Sequence, residues 1–284
     1  MNSPIGSLPD PTPVVVDGVT VMTYELGAQL VDPEGEVVFC HGTPWSAQVW
    51  EAAARCLAER YRVHLWDMPG YGRSIGIDSS PVDLRSQMDR LARLLRVWNI
   101  ERPHVVAHDI GGAVALGAHL VHGCDFASLY LWDVVTLDPW GSPFFRLVAD
   151  NAEVFTALPL NLHAALVREY IAGAANHGLD ADWISELSAP WLTDAGRAAF
   201  YRQIASLRPE DTRPVVELLG EVRCRTAIGW GEHDPWIPVE QASRLAESVP
   251  NSPPVRILDK AGHLAPIEAP EQVLAALNEW LGRR

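Results

Sequence analysis

The sequence predicts an α/β fold: a mostly parallel central sheet flanked by helices, with a block of helices inserted in the middle of the chain. Three observations predict it. Short apolar runs alternate with stretches of helical spacing over residues 36–132, the rhythm of parallel strands joined by crossover helices. That rhythm stops over residues 137–220, where the patterns are helical and no run reads as a strand. It resumes with strand-like runs at 222–230 and 255–258. The expected organisation is a sheet core built from residues 1–136 and 221–284, with a helical cap at 137–220.

Each element follows in order. Residues 1–13 are rich in Pro and Ser and read as a loose tail. Asp17-Gly18 separates the apolar runs 14–16 and 19–25 and signals a hairpin. Residues 36–40 read as a buried strand ending at His41-Gly42, and 47–60 have helical spacing. Residues 62–66 form the next strand, ending at Asp67-Met68-Pro69-Gly70-Tyr71-Gly72, a turn to which no chemistry is assigned. An amphipathic helix at 82–97 places Leu84, Met88, Leu91, Leu94 and Leu95 on one face. Residues 103–107 are a strand. The Ala- and Gly-rich helix at 110–121 suits close packing on a sheet, and 127–132 are a further strand. Helices at 239–248 and 270–281 accompany the last two strands.

Composition narrows the function classes. The chain has 284 residues, enough for one large α/β domain with an insertion, and is 48% hydrophobic and 20% charged. A formal net charge of -14 excludes the basic footprint that nucleic acid needs and disfavours an anionic membrane surface. No stretch approaches the ~20 apolar residues of a spanning helix. The N-terminal residues lack the basic and apolar regions of a signal peptide. Cys40, Cys56, Cys124 and Cys224 are widely spaced and form no CxxC pair, so they read as reduced. A cytoplasmic location is expected. The histidines show no HExxH or paired spacing, so no metal and no cofactor are expected. Eleven tryptophans are many. Trp45, Trp140, Trp191 and Trp236 are pocket candidates, although packing accounts for most indoles.

The chemistry concentrates in four places. Ala107-His108-Asp109-Ile110-Gly111-Gly112 stands where a strand hands over to a helix and has the small-x-nucleophile-x-small form of a nucleophile elbow. Small neighbours permit the tight turn. The helix N-terminus favours an ionised carboxylate at Asp109, and the Ile110 N–H can face developing negative charge. His41-Gly42-Thr43-Pro44 follows an earlier strand, where the Thr43 N–H would be a second oxyanion donor. Asp234, in Gly231-Glu232-His233-Asp234-Pro235, follows the second-last strand, where a triad acid belongs. His263, in Ala261-Gly262-His263, follows the last. Asp133, after the sixth strand, is the alternative acid, and Asp234 also reads as a helix cap before Pro235. His41 reads as a loop organiser and His108 as a packing residue.

Together these motifs, with Asp67 to Ser74, resemble the epoxide hydrolase and haloalkane dehalogenase branch of the α/β-hydrolase superfamily over nearly the whole chain. The resemblance implies an aspartate nucleophile, Asp109, that attacks saturated carbon and forms an alkyl-enzyme ester. His263, oriented by Asp234, then activates water to hydrolyse that ester. A carboxylate suits sp3 carbon bearing a leaving group; at an ester carbonyl it would give an anhydride. Dehalogenases hold halide with a Trp after the nucleophile and a Trp or Asn donor elsewhere. Here those positions are Ile110 and Thr43, although Trp45 is close in sequence. Fluoroacetate dehalogenases carry Arg where Ile110 stands. Epoxide hydrolases protonate the opening ring with cap tyrosines. Ala199-Phe200-Tyr201-Arg202 resembles the motif bearing one of them, Phe155 falls near the place of the other, and Tyr170, His163 or His177 could substitute.

The reading that follows is epoxide hydrolysis to a diol. A haloalkane or haloacid dehalogenase is the alternative enzyme, and a non-hydrolytic or ligand-binding descendant the alternative of a different class. The expected partner is a small, largely apolar substrate molecule, with no nucleic acid and no membrane; a homodimer is left open.

Overall fold

The computed structural model describes residues 6–76 and 80–282; residues 1–5 of the expected tail lie outside them. The chain opens with β1 (Thr12–Val16), β2 (Val19–Leu26) and β3 (Glu36–Cys40). Then come α1 (Glu51–Leu57), β4 (Arg62–Asp67), α2 (Leu84–Val97), β5 (His104–His108), α3 (Ile110–Leu120) and β6 (Ser128–Trp132). The inserted segment carries α4 (Pro143–Asp150), α5 (Ala152–Thr156), α6 (Leu160–Ala172), α7 (Ala181–Ser188), α8 (Asp194–Ser206) and α9 (Arg213–Glu217). The chain closes with β7 (Arg225–Gly231), α10 (Glu240–Ser248), β8 (Val255–Leu258), α11 (Ala265–Glu268) and α12 (Pro270–Leu281).

The described strands form one sheet of eight in the order β1-β2-β4-β3-β5-β6-β7-β8. The pairs β1–β2 and β2–β4 are antiparallel and all others parallel, the mostly parallel sheet expected. The hairpin turns at Asp17-Gly18, with Val16 opposite Val19. Central strands β3, β5 and β6 are buried along almost their whole length, because helices cover both faces and leave no solvated side. β5 lies between β3 and β6, so the residue that follows it emerges at the middle of the sheet's C-terminal edge. In open parallel sheets that edge is where ligands bind.

Several boundaries differ from the sequence pattern; β1, for one, takes in Thr12 and Pro13 of the expected tail. The expected helix at 47–60 begins as a 3-10 turn, Ala47–Trp50, and its α-helical part ends at Leu57. The second helix begins at Leu84 because the Asp83 side chain caps it, accepting from the Ser86 N–H at 3.0 Å. The strand expected from 222 begins at Arg225, because the Arg223 N–H is drawn to His119 Nε2 at 3.1 Å.

The inserted helices pack mainly on one another around α8, while α9 returns to α3. Hydrogen bonds bind the insertion to the C-terminal loops, among them Trp191 Nε1–H to the Pro44 carbonyl (3.0 Å), Thr43 Oγ1–H to Gln203 Oε1 (2.8 Å) and the His263 N–H to the Ala174 carbonyl (3.0 Å). Among the described residues, no helix is long and apolar enough to cross a membrane.

Candidate active site

Asp109 joins β5 to α3 with φ 51° and ψ -128°, a region that residues with a Cβ rarely enter. The surrounding backbone enforces it. The Asp109 N–H donates to the Trp132 carbonyl (3.2 Å), and its carbonyl accepts from Gly112 (2.9 Å) and Val135 (3.0 Å). A Cβ on Gly42 would stand 2.4 Å from the Asp109 carboxylate, so only glycine lets the β3 loop approach this closely. That approach brings the Thr43 N–H to Asp109 Oδ2 at 2.6 Å. Ile110 opens α3, where first-turn N–H groups have no intrahelical acceptor.

His263 follows β8 and is fully buried. Its Nδ1–H donates to Asp234 Oδ2 at 2.8 Å, and Nε2 stands 3.9 Å from Asp109 Oδ2 without a hydrogen-bond partner. Asp234 bonds both to the histidine and to its own loop, where it caps a turn rather than the helix expected after Pro235, which begins only at Glu240. Oδ2 takes the histidine, while Oδ1 accepts from the N–H groups of Trp236 (2.7 Å) and Ile237 (2.9 Å). Burial alone would lower the His263 pKa, but Asp234 and Asp109 overcome it and raise it well above the ordinary value. Burial pushes the Asp109 carboxyl up, opposed by His263 and the Thr43 N–H.

Asp133, the alternative acid, does not bond the imidazole. Its Oδ1 accepts from the Gly231 N–H at 2.7 Å, and its buried Oδ2 has no partner. Burial first, then the nearby Asp234 charge, raise its carboxyl well above the usual range. His41 is a loop organiser in geometry: Nδ1–H donates to the Gly42 carbonyl (2.8 Å) and Nε2 accepts from the Met68 N–H (3.0 Å). His108 donates from Nε2–H to the His263 carbonyl at 2.7 Å, and burial pushes its pKa well down.

A cavity opens over Asp109, lined by Thr43, Ile110, His263, Trp140, Tyr170 and Trp236 among others. Tyr170 projects from α6 and stacks on Trp236 with centroids 4.6 Å apart. Its hydroxyl forms no hydrogen bond among the described residues, and burial, then Asp109, hold its pKa far above the ordinary value. Tyr201, expected to face the carboxylate from the cap, does not line this cavity. It is fully buried inside the insertion, where its hydroxyl donates to His163 Nδ1 at 2.8 Å, while His163 Nε2–H donates to the Trp191 carbonyl at 3.0 Å. Both side chains spend their polar atoms there and leave none for the cavity. Phe155 packs against Tyr201, and His177 is exposed beside Asn176. Trp45 stacks behind Trp236 at 5.7 Å without lining the cavity; of the four candidate indoles, Trp140 and Trp236 line it.

Sequence reading missed Gln203, whose Oε1 accepts from both Thr43 Oγ1 (2.8 Å) and Tyr71 Oη (2.9 Å), and Ser142 and Phe145 in the cavity wall. None stands in a motif; only their spatial neighbours reveal them.

Comparison with known proteins agrees with this geometry at the level of family. A model described as "Alpha/beta hydrolase family" matches residues 37–277. A carbamate hydrolase by name, RutD of Caulobacter sp. (strain K31), is 27% identical over 253 residues, covering 86% of this chain and 90% of its own. The crystal structure of an alpha/beta hydrolase fold protein from Burkholderia ambifaria is 39% identical, with a TM-score of 0.89, over 97% of this chain and 98% of its own. The haloalkane dehalogenase DbeA from Bradyrhizobium elkani, 19% identical with a TM-score of 0.80 over 96% of this chain and 97% of its own, shares the fold.

Proposed function

The chain belongs to the α/β hydrolase family, and from that premise we propose that it hydrolyses small, largely apolar epoxides to diols through an alkyl ester on Asp109. One observation carries the reading. A carboxylate occupies the elbow, with the Thr43 N–H on its Oδ2 and the His263–Asp234 pair beside it. Attack on a carbonyl by a carboxylate forms an anhydride less stable than the ester or carbamate it came from; attack on strained sp3 carbon forms a stable ester. The relative's carbamate hydrolase name is therefore not carried to this chain.

The steps balance as follows. An Asp109 oxygen bonds to a ring carbon, the C–O bond breaks, and the leaving oxygen takes the Tyr170 proton. Esterification removes the Asp109 charge, one of the two that hold the His263 pKa up. The neutral form of His263, the one that can accept a proton, is thereby favoured at the moment a base is needed. Its Nε2 takes a proton from water, and the hydroxide adds to the Asp109 ester carbon. The oxyanion is met by the N–H groups of Thr43 and Ile110. Collapse expels the diol oxygen, which takes the proton back from His263, and the Asp109 carboxyl returns the remaining proton to Tyr170.

Tyr170 replaces Tyr201 as the proposed proton donor, since it lines the cavity and its hydroxyl is uncommitted. A second reading, haloalkane dehalogenation, rests on Trp236, whose indole lines the same cavity and forms no hydrogen bond among the described residues. The Trp140 N–H is already given to Thr212 Oγ1 at 3.1 Å. Styrene oxide, 1-bromobutane and p-nitrophenyl acetate separate the possibilities. We expect diol from styrene oxide, and a loss of about 100-fold in kcat for Tyr170→Phe, the usual worth of a general acid. Bromide release without diol would replace epoxide by halide. Turnover of the acetate alone would overturn both, and no turnover of any probe would favour a non-hydrolytic descendant.

A further inference from the structure

Glu268 takes no part in the chemistry above, yet its two carboxylate oxygens each accept a backbone N–H from a different part of the chain. Oε1 accepts from the Asn176 N–H at 2.8 Å and Oε2 from the Gly262 N–H at 2.9 Å; the backbone at His177 and Leu264 adds to the field that favours its ionised form. Gly262 directly precedes His263. Asn176 belongs to the segment that leaves α6, the helix carrying Tyr170. The same two segments are joined twice more, by the His263 N–H to the Ala174 carbonyl (3.0 Å) and by Asn176 Nδ2–H to the Lys260 carbonyl (3.1 Å). The peptide groups before and at the histidine are thus held, one by Glu268 and one by the insertion.

We propose that Glu268 is a positioning residue that registers the α6 segment against the His263 loop, so that the proton donor and the water-activating base share one frame. The proposal rests on the reading of His263 as base and Tyr170 as donor. Charge-assisted bonds to backbone N–H groups are about twice as strong as neutral ones. A carboxylate supplies two acceptor oxygens, whereas glutamine keeps the volume but supplies one and presents an NH2 where an acceptor is needed. If Glu268 only stapled α11 to its surroundings, its loss would lower stability and leave the imidazole's own hydrogen bond unchanged.

Two readouts on the full chain separate these roles. The first is the low-field proton NMR resonance of His263 Nδ1–H, assigned by its absence in Asp234→Asn. The second is kcat and KM for styrene oxide. In Glu268→Gln we expect the resonance to broaden or vanish, and kcat to fall at least about tenfold with KM changed less than about threefold. Glu268→Asp, which keeps the charge with a reach one methylene shorter, should lie between; if the glutamine variant fails to fold, it carries both measurements. A folded variant with the wild-type resonance and wild-type kcat would overturn the proposal. The resonance does not depend on turnover. Its loss in Glu268→Gln, in a protein that never turns over styrene oxide, would uphold the positioning while removing the epoxide reading.

Discussion

Four carboxylates, Asp109, Asp133, Asp234 and Glu268, stand close enough to the His263 imidazole or to one another to interact electrostatically. Their environments divide the work. Asp234 is bonded to the imidazole, Asp109 faces it, Glu268 is spent on backbone N–H groups, and Asp133 is pushed well above the usual carboxyl range. The raised Asp133 value has a stability consequence of definite sign. Below the ordinary carboxyl pKa both folded and unfolded chains hold the proton. Above about 3.9 the unfolded chain releases it while the folded chain keeps it, so this group costs stability as pH rises, until its folded pKa is reached. Asparagine mimics the protonated form and keeps the acceptor for the Gly231 N–H. We expect Asp133→Asn to raise Tm relative to wild type by more at about pH 8 than at about pH 5. Activity should stay within about threefold, whereas Asp234→Asn should lose about 10³–10⁴-fold in kcat. An offset equal at both pH values would remove the assigned cause. Sequence order made Asp109, Asp234 and His263 legible, since each follows a strand. Preferring Tyr201 to Tyr170 followed a local motif, but the direction of a cap side chain is set by packing between helices distant in sequence.

At the scale of elements, the β5–α3 elbow depends on how closely α3 approaches β3. A Cβ on Gly111 would lie 2.5 Å from the His41 carbonyl oxygen and 2.7 Å from that of Cys40. Both are backbone atoms and cannot rotate away. Gly111→Ala should therefore push α3 off the sheet and cost about 1–3 kcal/mol, read as a fall in Tm of about 2–12 °C. It should also impair activity, because displacing α3 moves Asp109 and Ile110 relative to Thr43 on the β3 loop. Gly220→Ala is the control: a Cβ there meets nothing within 4 Å, and Tm should move by no more than about 1 °C. An unchanged Tm for Gly111→Ala would mean that the approach of α3 is not tight. Strand and helix identities were legible because apolar periodicity differs between them; boundaries were less so. The Arg225 start of β7 depends on His119, 104 residues away for the bond from Arg223, a contact no local pattern contains.

Over the whole molecule, strands from both ends of the chain build one sheet, and the chain between β6 and β7 is helical. The expected sheet with inserted helices was legible because burial imposes its period on every element. The substrate was not, because the cavity wall is assembled from residues such as Trp140, Tyr170 and Trp236, which share no motif and meet only in the fold. The chemistry, by contrast, turns on a single atom type at the elbow. If Asp109 is the nucleophile, removing the base should stop the reaction after the first bond forms. The direct measurement is peptide mass spectrometry of His263→Gln after incubation with styrene oxide and, separately, with 1-bromobutane. We expect a substrate-derived alkyl group on the peptide containing Asp109, absent when Asp109→Asn is combined with the same change. No adduct from either probe, in a folded variant of a protein that turns one of them over, would contradict alkyl-enzyme chemistry at Asp109.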